Sequence, residues 1–273
     1  MVKMTNPYFE SLIKNSLTVL ADEPDDSTAM VWSEAEALAK IETTEKAIYK
    51  LDLVDKEVLL EEIEDLLAYD TIRKVRELWL DRNDFRDEGV DLLACSSQVK
   101  QLVVLSLAYN KLTNFSAQSI AASPSLQNLR KLFLQGNQIA LEGLKALVES
   151  TTLSKLQTLY INLNPVGPAG AKIIAEGSQM KNLKELYLQK TGLGVGGVQA
   201  LCESDNFQNL TLLSLAGNRL VDSAVDLLCK SKAFPHLITL DLYHNRISDQ
   251  AVDQLRSSPN LKSVRALQVD WRG

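Results

Sequence analysis

The chain of 273 residues has few of the side chains that most often carry chemistry or cross-links. It contains three cysteines and two histidines, and aromatic residues make up only 6% of it. An odd cysteine count and an N-terminus without a secretion signal predict reduced thiols and a cytoplasmic protein. The cysteines, Cys95, Cys202 and Cys229, form no Cys-x-x-Cys pair, so the sequence predicts no metal site.

Long apolar runs and an excess of basic residues are also missing. No apolar run approaches about 18 residues, the length that a membrane-spanning helix requires, so we expect no contact with a membrane. The chain has 29 Lys and Arg residues against 35 Asp and Glu residues, which gives a net charge of −6. Binding to phosphates needs a basic stripe, so nucleic acid is not expected as a partner.

Leucine is abundant instead, and most of it recurs at a fixed interval. Stepping through the chain in units of 27 residues from Ile48, the fourth position is Leu in all nine units. The sixth position is also aliphatic in every unit, and no insertion or deletion breaks the register. The fourth-position residues are Leu51, Leu78, Leu105, Leu132, Leu159, Leu186, Leu213, Leu240 and Leu267. Residues 48–273 therefore divide into eight units of 27 residues and a final strand, and residues 1–47 lie outside the repeat.

Each unit has the pattern of a strand, a turn and a helix. Positions 3 to 7 alternate between outward and buried residues, as in a strand with one buried face. Apolar residues at positions 16 and 19 share one helix face, and position 15 is small in all but the first unit. Position 9 forms a column of asparagines, whose amides can bond the turning backbone of neighbouring units. These residues are Asn83, Asn110, Asn137, Asn164, Asn218 and Asn245.

The segment Leu102-x-x-Leu105-x-Leu107-x-x-Asn110 resembles a leucine-rich repeat. The helical second half of the unit looks like the ribonuclease-inhibitor-like class of these repeats, although ribonuclease inhibitor itself has longer, alternating repeats and more cysteine. The resemblance implies an α/β solenoid, with a curved parallel β-sheet on the concave side and α-helices on the convex side. One unit cannot bury its own apolar face, whereas stacked units can.

Residues 1–47 are expected to form a helical cap over the first unit, because the end of a solenoid exposes its core. Two short helices are predicted, Asn6–Leu20 and Ser33–Ala47. The cap holds 9 acidic and 4 basic residues and so carries most of the net charge. This charge keeps the cap soluble or, as an alternative, forms an acidic docking surface.

Outward positions of the strands gather many of the scarce aromatic residues. At position 5, Phe133, Tyr160 and Tyr187 lie on consecutive strands about 4.8 Å apart, so a contiguous aromatic row is predicted. Amide side chains stand beside it at position 7, and the charges around it have both signs. We expect a protein or peptide ligand on this face, because rigid aromatics supply most binding hot spots. The expected site residues are Trp79, Tyr109, Phe133, Gln135, Tyr160, Asn162, Tyr187, Gln189, Tyr243, His244 and Trp271.

Signals for catalysis are weak. Gly192-Leu-Gly194-Val-Gly-Gly197 matches G-x-G-x-x-G, but Gly197 already belongs to the small column of the repeat. His244 lies near Asp241 and Ser214 in the repeat, and nothing in the sequence orders them into a triad. We therefore predict no enzyme, no catalytic residue and no cofactor.

The sequence favours a monomeric, non-enzymatic interaction scaffold with a partner of unknown identity. Three alternatives stay open. One is a regulator like the Ran GTPase-activating protein, which uses a similar solenoid. The second is a ubiquitin-ligase substrate adaptor. The third is a bacterial effector that mimics eukaryotic repeats in the cytosol of a host cell.

Overall fold

The computed structural model describes residues 6–20 and 47–270. In this part of the chain ten strands form one sheet, in which the strands follow each other in chain order. The first two strands pair antiparallel, and all the later pairs are parallel. The strands are β1 (Leu17–Leu20), β2 (Ile48–Asp52), β3 (Val75–Trp79), β4 (Val104–Ser106), β5 (Lys131–Phe133), β6 (Thr158–Tyr160), β7 (Glu185–Tyr187), β8 (Leu212–Ser214), β9 (Thr239–Asp241) and β10 (Ala266–Gln268).

Nine α-helices are present in the same described part. From the second helix onward, each packs against the next along the chain, in one layer beside the sheet. The helices are α1 (Pro7–Ser16), α2 (Leu60–Ala68), α3 (Arg86–Cys95), α4 (Asn114–Ala122), α5 (Leu141–Glu149), α6 (Gly167–Glu176), α7 (Gly194–Cys202), α8 (Asp222–Lys230) and α9 (Asp249–Ser257). The predicted α/β leucine-rich-repeat solenoid is confirmed. None of these helices is long and apolar enough to cross a membrane.

The core lies between the sheet and the helix layer. Leu132 pairs with Leu105 on one side and with Leu159 on the other, and all three are buried. The helices contribute their predicted apolar face, and the buried residues form one continuous cluster along the solenoid. Each unit thus fills the open side of the preceding unit, which is why a single leucine column can supply so much of the core.

The asparagine column forms a hydrogen-bonded ladder. The Asn137 Nδ2 group donates to the carbonyls of Leu107 (3.0 Å) and Leu134 (2.9 Å). Its Oδ1 accepts from the backbone N–H groups of Asn110 and Leu112, both at 3.0 Å. One buried amide therefore joins the turns of two adjacent units, and the same geometry recurs at the other asparagines. Position 9 is threonine once, at Thr191, where the hydroxyl donates to the Leu188 carbonyl (2.8 Å).

Glycine in the helix layer has a packing reason. A Cβ added to Gly197 would lie 2.7 Å from the Leu193 Cβ and 3.1 Å from the Ala171 Cβ in the preceding helix, α6. At the neighbouring Gly196 an added Cβ would meet only Pro168, at 3.9 Å. Close contact between α6 and α7 thus explains why Gly197 must be small, as the small column of the repeat predicts.

The N-terminal segment differs from the prediction. The expected helix Asn6–Leu20 ends at Ser16, and Leu17–Leu20 forms β1, which pairs antiparallel with β2. The physical reason is tertiary: β2 would otherwise be a free sheet edge, and the β-branched Thr18 and Val19 suit a strand. Phe9 and Ile13 of α1 are buried against the first unit. The second predicted cap helix, Ser33–Ala47, lies outside the described residues except for Ala47.

Candidate functional site

Four aromatic side chains form a continuous stack on the sheet face that points away from the helices, which we call the concave face. The ring centroids of Tyr160 and Tyr187 are 3.7 Å apart, with an interplanar angle of 11°. Phe133 stacks on Tyr160 at 4.5 Å, and Trp79 lies tilted against Phe133 at 5.2 Å. Trp79, Phe133, Tyr160 and Tyr187, the aromatic row, are each half-buried and together present an apolar strip to solvent.

The row crosses one strand that carries no aromatic residue. Strand β4 contributes Ser106 at this position, and its side chain is fully buried between its neighbours. The Ser106 hydroxyl donates to the Asp81 Oδ1, and the Ala108 N–H donates to the same oxygen at 2.8 Å. Because serine is small and turned toward Asp81, the rings of Trp79 and Phe133 meet above it.

Two tyrosine hydroxyls interact at the centre of the row, those of Tyr160 and Tyr187. Burial raises the pKa of both groups above the usual tyrosine value, and the nearby Glu185 carboxylate raises them further. Both hydroxyls are therefore neutral at every physiological pH, so these two rings add no charge to the face.

Amide side chains form a second column beside the aromatic row. Gln135, Asn162 and Gln189 follow Phe133, Tyr160 and Tyr187 by two residues each, so they stand on the same face of consecutive strands. The side-chain oxygen of each amide is buried and accepts no hydrogen bond from the residues that the structure describes. Buried polar atoms are normally paired, so three unpaired oxygens in adjacent positions are unusual. We call Gln135, Asn162 and Gln189 the amide column.

Charged groups border the face on the side of the first units. The Lys50 ammonium lies 4.8 Å from the ring centre of Trp79 and 3.1 Å from the Asp52 Oδ2. Burial raises the pKa of Asp81 above its usual range, although its bonds to Ser106 and Ala108 oppose the shift. Trp79 is thus the end of the apolar strip, and charged groups lie beside it.

The other predicted site residues stand apart from the aromatic row. The Tyr109 ring lies under the Arg82 guanidinium, 5.4 Å from it. Tyr243 and His244 pack on each other, with ring centroids 4.2 Å apart, and strand β8 separates their strand from that of Tyr187. Trp271 lies outside the described residues. The compact part of the predicted site is therefore the aromatic row and the amide column.

The residues considered for catalysis do not form a relay. The Ser214 hydroxyl donates to Asp241 Oδ2 at 2.5 Å, whereas the His244 Nδ1 lies 3.8 Å from a different carboxylate, that of Asp270. Within residues 6–20 and 47–270, no group of three His, Cys, Asp or Glu side chains could hold a metal ion.

The cysteines are unpaired thiols in very different surroundings. Cys95 is exposed, whereas Cys202 and Cys229 are partly covered. Burial raises the pKa of Cys202 to about 12, and it also raises the pKa of Cys229. A thiol with a raised pKa is a poor nucleophile at neutral pH, so the covered pair has no sign of activation for catalysis.

Sequence reasoning missed two contributors to the concave face. Lys50 and Asp81 stand at outward positions 3 and 7 of their units, which is the signal that could have found them. The unpaired state of the amide column could not be read from residue types, because it depends on how three side chains lie against the backbone.

Comparisons with known proteins agree with the fold. A family model described as Leucine Rich repeat matches residues 125–148 and 179–202. The crystal structure of the Rad7 and Elc1 complex in yeast is similar, with 18% identity and a TM-score of 0.51, over 71% of this chain and 56% of that chain. No curated protein matches the chain.

Two plant receptor structures are also similar. The LRR ectodomain of the Arabidopsis thaliana receptor kinase GASSHO1/SCHENGEN3, in complex with CASPARIAN STRIP INTEGRITY FACTOR 2, shares 19% identity at a TM-score of 0.43, covering 75% of this chain and 22% of that chain. The Arabidopsis HAESA LRR ectodomain, in complex with an N-terminal extended IDA peptide hormone ligand, shares 18% identity at a TM-score of 0.47. The match covers 96% of this chain and 40% of that chain. The chain thus spans 56% of the yeast chain, and less than half of each of the two plant chains.

Proposed function

We propose that this leucine-rich-repeat protein is a non-enzymatic interaction scaffold that binds a protein or peptide across its concave face. The observation that carries the proposal is the aromatic row, a stack of four rings left half-exposed on one rigid sheet. The yeast Rad7 and Elc1 structure holds a similar solenoid in a complex with another protein, and the proposal gives this chain a partner of the same class.

The stacked rings suit binding because they are already ordered. The contacts of 3.7 to 5.2 Å between ring centres hold each side chain in place before a ligand arrives. Ordering a free side chain at an interface costs about 0.5–1.5 kcal/mol, so rings that are ordered in advance avoid much of that loss. Aromatic residues are also enriched among the few side chains that dominate the energy of an interface.

The amide column supplies the polar half of the recognition. Each unpaired oxygen is buried, but the side chains of Gln135, Asn162 and Gln189 are only partly covered, so rotation of an amide about its last bond turns the oxygen outward. A ligand with backbone N–H groups could then donate to it. A buried acceptor without a donor costs about 1–3 kcal/mol, so a ligand that supplies a donor recovers at most that energy, and less where water already pairs the rotated oxygen.

Three finer assignments are part of the same proposal. We assign the solenoid to the ribonuclease-inhibitor-like class, supported by strands that pair at an offset of 27 residues and by a helix in each unit. Three unpaired thiols support a cytoplasmic scaffold. We further propose a monomer that binds neither nucleic acid nor membrane.

The experiment compares partners recovered by three forms of the protein. A tagged wild type, a triple variant Phe133→Ala, Tyr160→Ala and Tyr187→Ala, and the control Phe115→Ala are purified from the native cell. Phe115 is 52% exposed on helix α4, so its loss leaves the concave face intact. The triple variant should lose the partners that the wild type and the control both retain. Equal recovery of the same partners by a folded triple variant contradicts the proposal.

A further inference from the structure

One edge of the solenoid carries a concentration of positive charge that the concave-face function does not use. It consists of eight stretches of nine residues between residues 69 and 266. Each stretch covers the end of a return loop and the start of the next strand. We call it the strand-entry edge. It contains twelve Lys and Arg residues and four Asp and Glu residues, in a chain whose net charge is −6. Positive charge is therefore concentrated on this edge, although the chain as a whole is negative.

The cations on this edge are not neutralised by the protein. All twelve are exposed. In the described part of the chain none of them forms an ion pair with a carboxylate, whereas Lys145, Lys172 and Arg256 on the helices do so. Like charges that stand together without counterions repel each other, so the arrangement is stabilised when an anion binds.

The repeat places the central cations in a regular array. Arg130, Gln157 and Lys184 occupy the same position of three consecutive units. Backbone hydrogen bonds join them: the Gln157 N–H donates to the Arg130 carbonyl, and the Lys184 N–H donates to the Gln157 carbonyl, each at 2.8 Å. With Lys155, they line a groove of about 530 Å³ whose other walls are amide and hydroxyl side chains. The Lys155 ammonium donates to the Asn128 Oδ1 at 2.7 Å, which leaves it with further hydrogens that can donate to a ligand.

The surroundings of these cations distinguish between possible anions. Single-stranded nucleic acid needs aromatic rings for its bases, but the aromatic residues of these stretches are Tyr69 at one end and Phe207 and Phe234, both buried. A membrane surface favours the insertion of apolar side chains, whereas the residues that line this groove all carry charged, amide or hydroxyl groups. A narrow chain with carboxylates fits better, because its side chains reach cations in a groove and its backbone meets the amides.

We infer that the strand-entry edge, centred on Arg130, Lys155 and Lys184, binds an acidic polypeptide segment. This surface begins two to three residues along the strands from the aromatic row, roughly 7–10 Å away. The inference rests on observations other than those that carry the proposed function. The two are linked only because one partner could reach both surfaces. An apolar anchor flanked by glutamates or aspartates would then occupy the face and the edge together.

The test uses a fluorescein-labelled oligo-glutamate peptide as the probe and the full chain in each form. The edge variant carries Arg130→Glu, Lys155→Glu and Lys184→Glu. The control carries Lys145→Glu, Lys172→Glu and Arg256→Glu, which changes the net charge equally on the helices. Circular dichroism checks that both variants fold. Fluorescence anisotropy should show binding about tenfold weaker or more for the edge variant, and near wild type for the control.

Two further arms separate this inference from its alternatives. Binding of the probe should weaken as salt rises from about 0.05 M to about 0.5 M, because exposed charges are screened. The aromatic triple variant of Phe133, Tyr160 and Tyr187 should bind the probe as the wild type does, so loss of the concave-face function would not imitate loss of this one. The inference is overturned if the wild type ignores the probe or if both charge variants bind it equally. It is also overturned if phosphatidylserine vesicles or a single-stranded oligonucleotide bind more tightly.

Discussion

Replacement of Asn137 by alanine tests whether the asparagine ladder holds adjacent units together. The change removes the only hydrogen-bond acceptor that the structure gives to the N–H groups of Asn110 and Leu112. It also removes the donor to the carbonyls of Leu107 and Leu134. The Leu134 carbonyl keeps the Asn164 amide at 2.8 Å, so the main loss is two buried N–H groups and one carbonyl.

The magnitude follows from the number of groups left unpaired. Each buried donor or acceptor without a partner costs about 1–3 kcal/mol, and water that enters beside the smaller alanine reduces the total. We therefore expect a loss of about 2–4 kcal/mol, a large fraction of the stability of an ordinary domain. Asn137→Thr should lose nearly as much, because the bond that the Thr191 hydroxyl makes corresponds to one with the Leu134 carbonyl, which keeps the Asn164 amide in any case.

The assay combines urea denaturation, followed by circular dichroism, with hydrogen exchange. In the alanine variant the amide hydrogens of Asn110 and Leu112 should exchange faster than in the wild type, because they have lost their acceptor. The control is Gln138→Ala, an exposed neighbour in the same turn, which should change stability by less than about 0.5 kcal/mol. If Asn137→Ala is no more destabilising than this control, the ladder does not support the fold.

Three other predictions concern packing and thiol chemistry. Leu159→Ala should reduce the free energy of unfolding by about 2–5 kcal/mol through a core cavity, and an unchanged melting temperature would refute this. Gly197→Ala should destabilise by about 1–3 kcal/mol, whereas the adjacent Gly196→Ala should be neutral or slightly stabilising; similar melting temperatures for the two would contradict the proposed helix contact. Iodoacetamide at neutral pH should modify exposed Cys95 well before Cys202, as measured by mass spectrometry. This preference should shrink as the pH rises toward about 12, where the Cys202 thiol ionises. Equal rates of modification at neutral pH would refute the prediction.

Most of the fold was predictable because its core is a repeated column. Leu132, Leu159 and Leu186 occupy the same position of successive units, so one register assignment placed every parallel strand. The asparagine ladder followed from the same register, since the repeat places an amide at the turn of six units. Strand β1 was not predictable in this way, because Thr18 and Val19 form a strand only when the free edge of β2 lies beside them.

The candidate site was partly predictable, for a related reason. Alternation along each strand showed which aromatic residues face outward, and this placed Phe133, Tyr160 and Tyr187 together. The contact between Trp79 and Phe133 depends on the hydrogen bond that turns Ser106 toward Asp81, which residue types do not reveal. The strand-entry edge was also hidden, since its cations are scattered through an acidic sequence and meet only when the units stack.

The most direct measurement of concave-face binding is photo-crosslinking from the centre of the aromatic row. The photoreactive amino acid benzoylphenylalanine is placed at Tyr160 in one protein and at the helix residue Phe115 in another, and each is irradiated with the native cell extract. We expect a specific crosslinked partner from Tyr160, which disappears when Phe133 and Tyr187 are also replaced by alanine. Crosslinks from Phe115 to a partner that Tyr160 never reaches would place binding on the helix layer and contradict the proposed function.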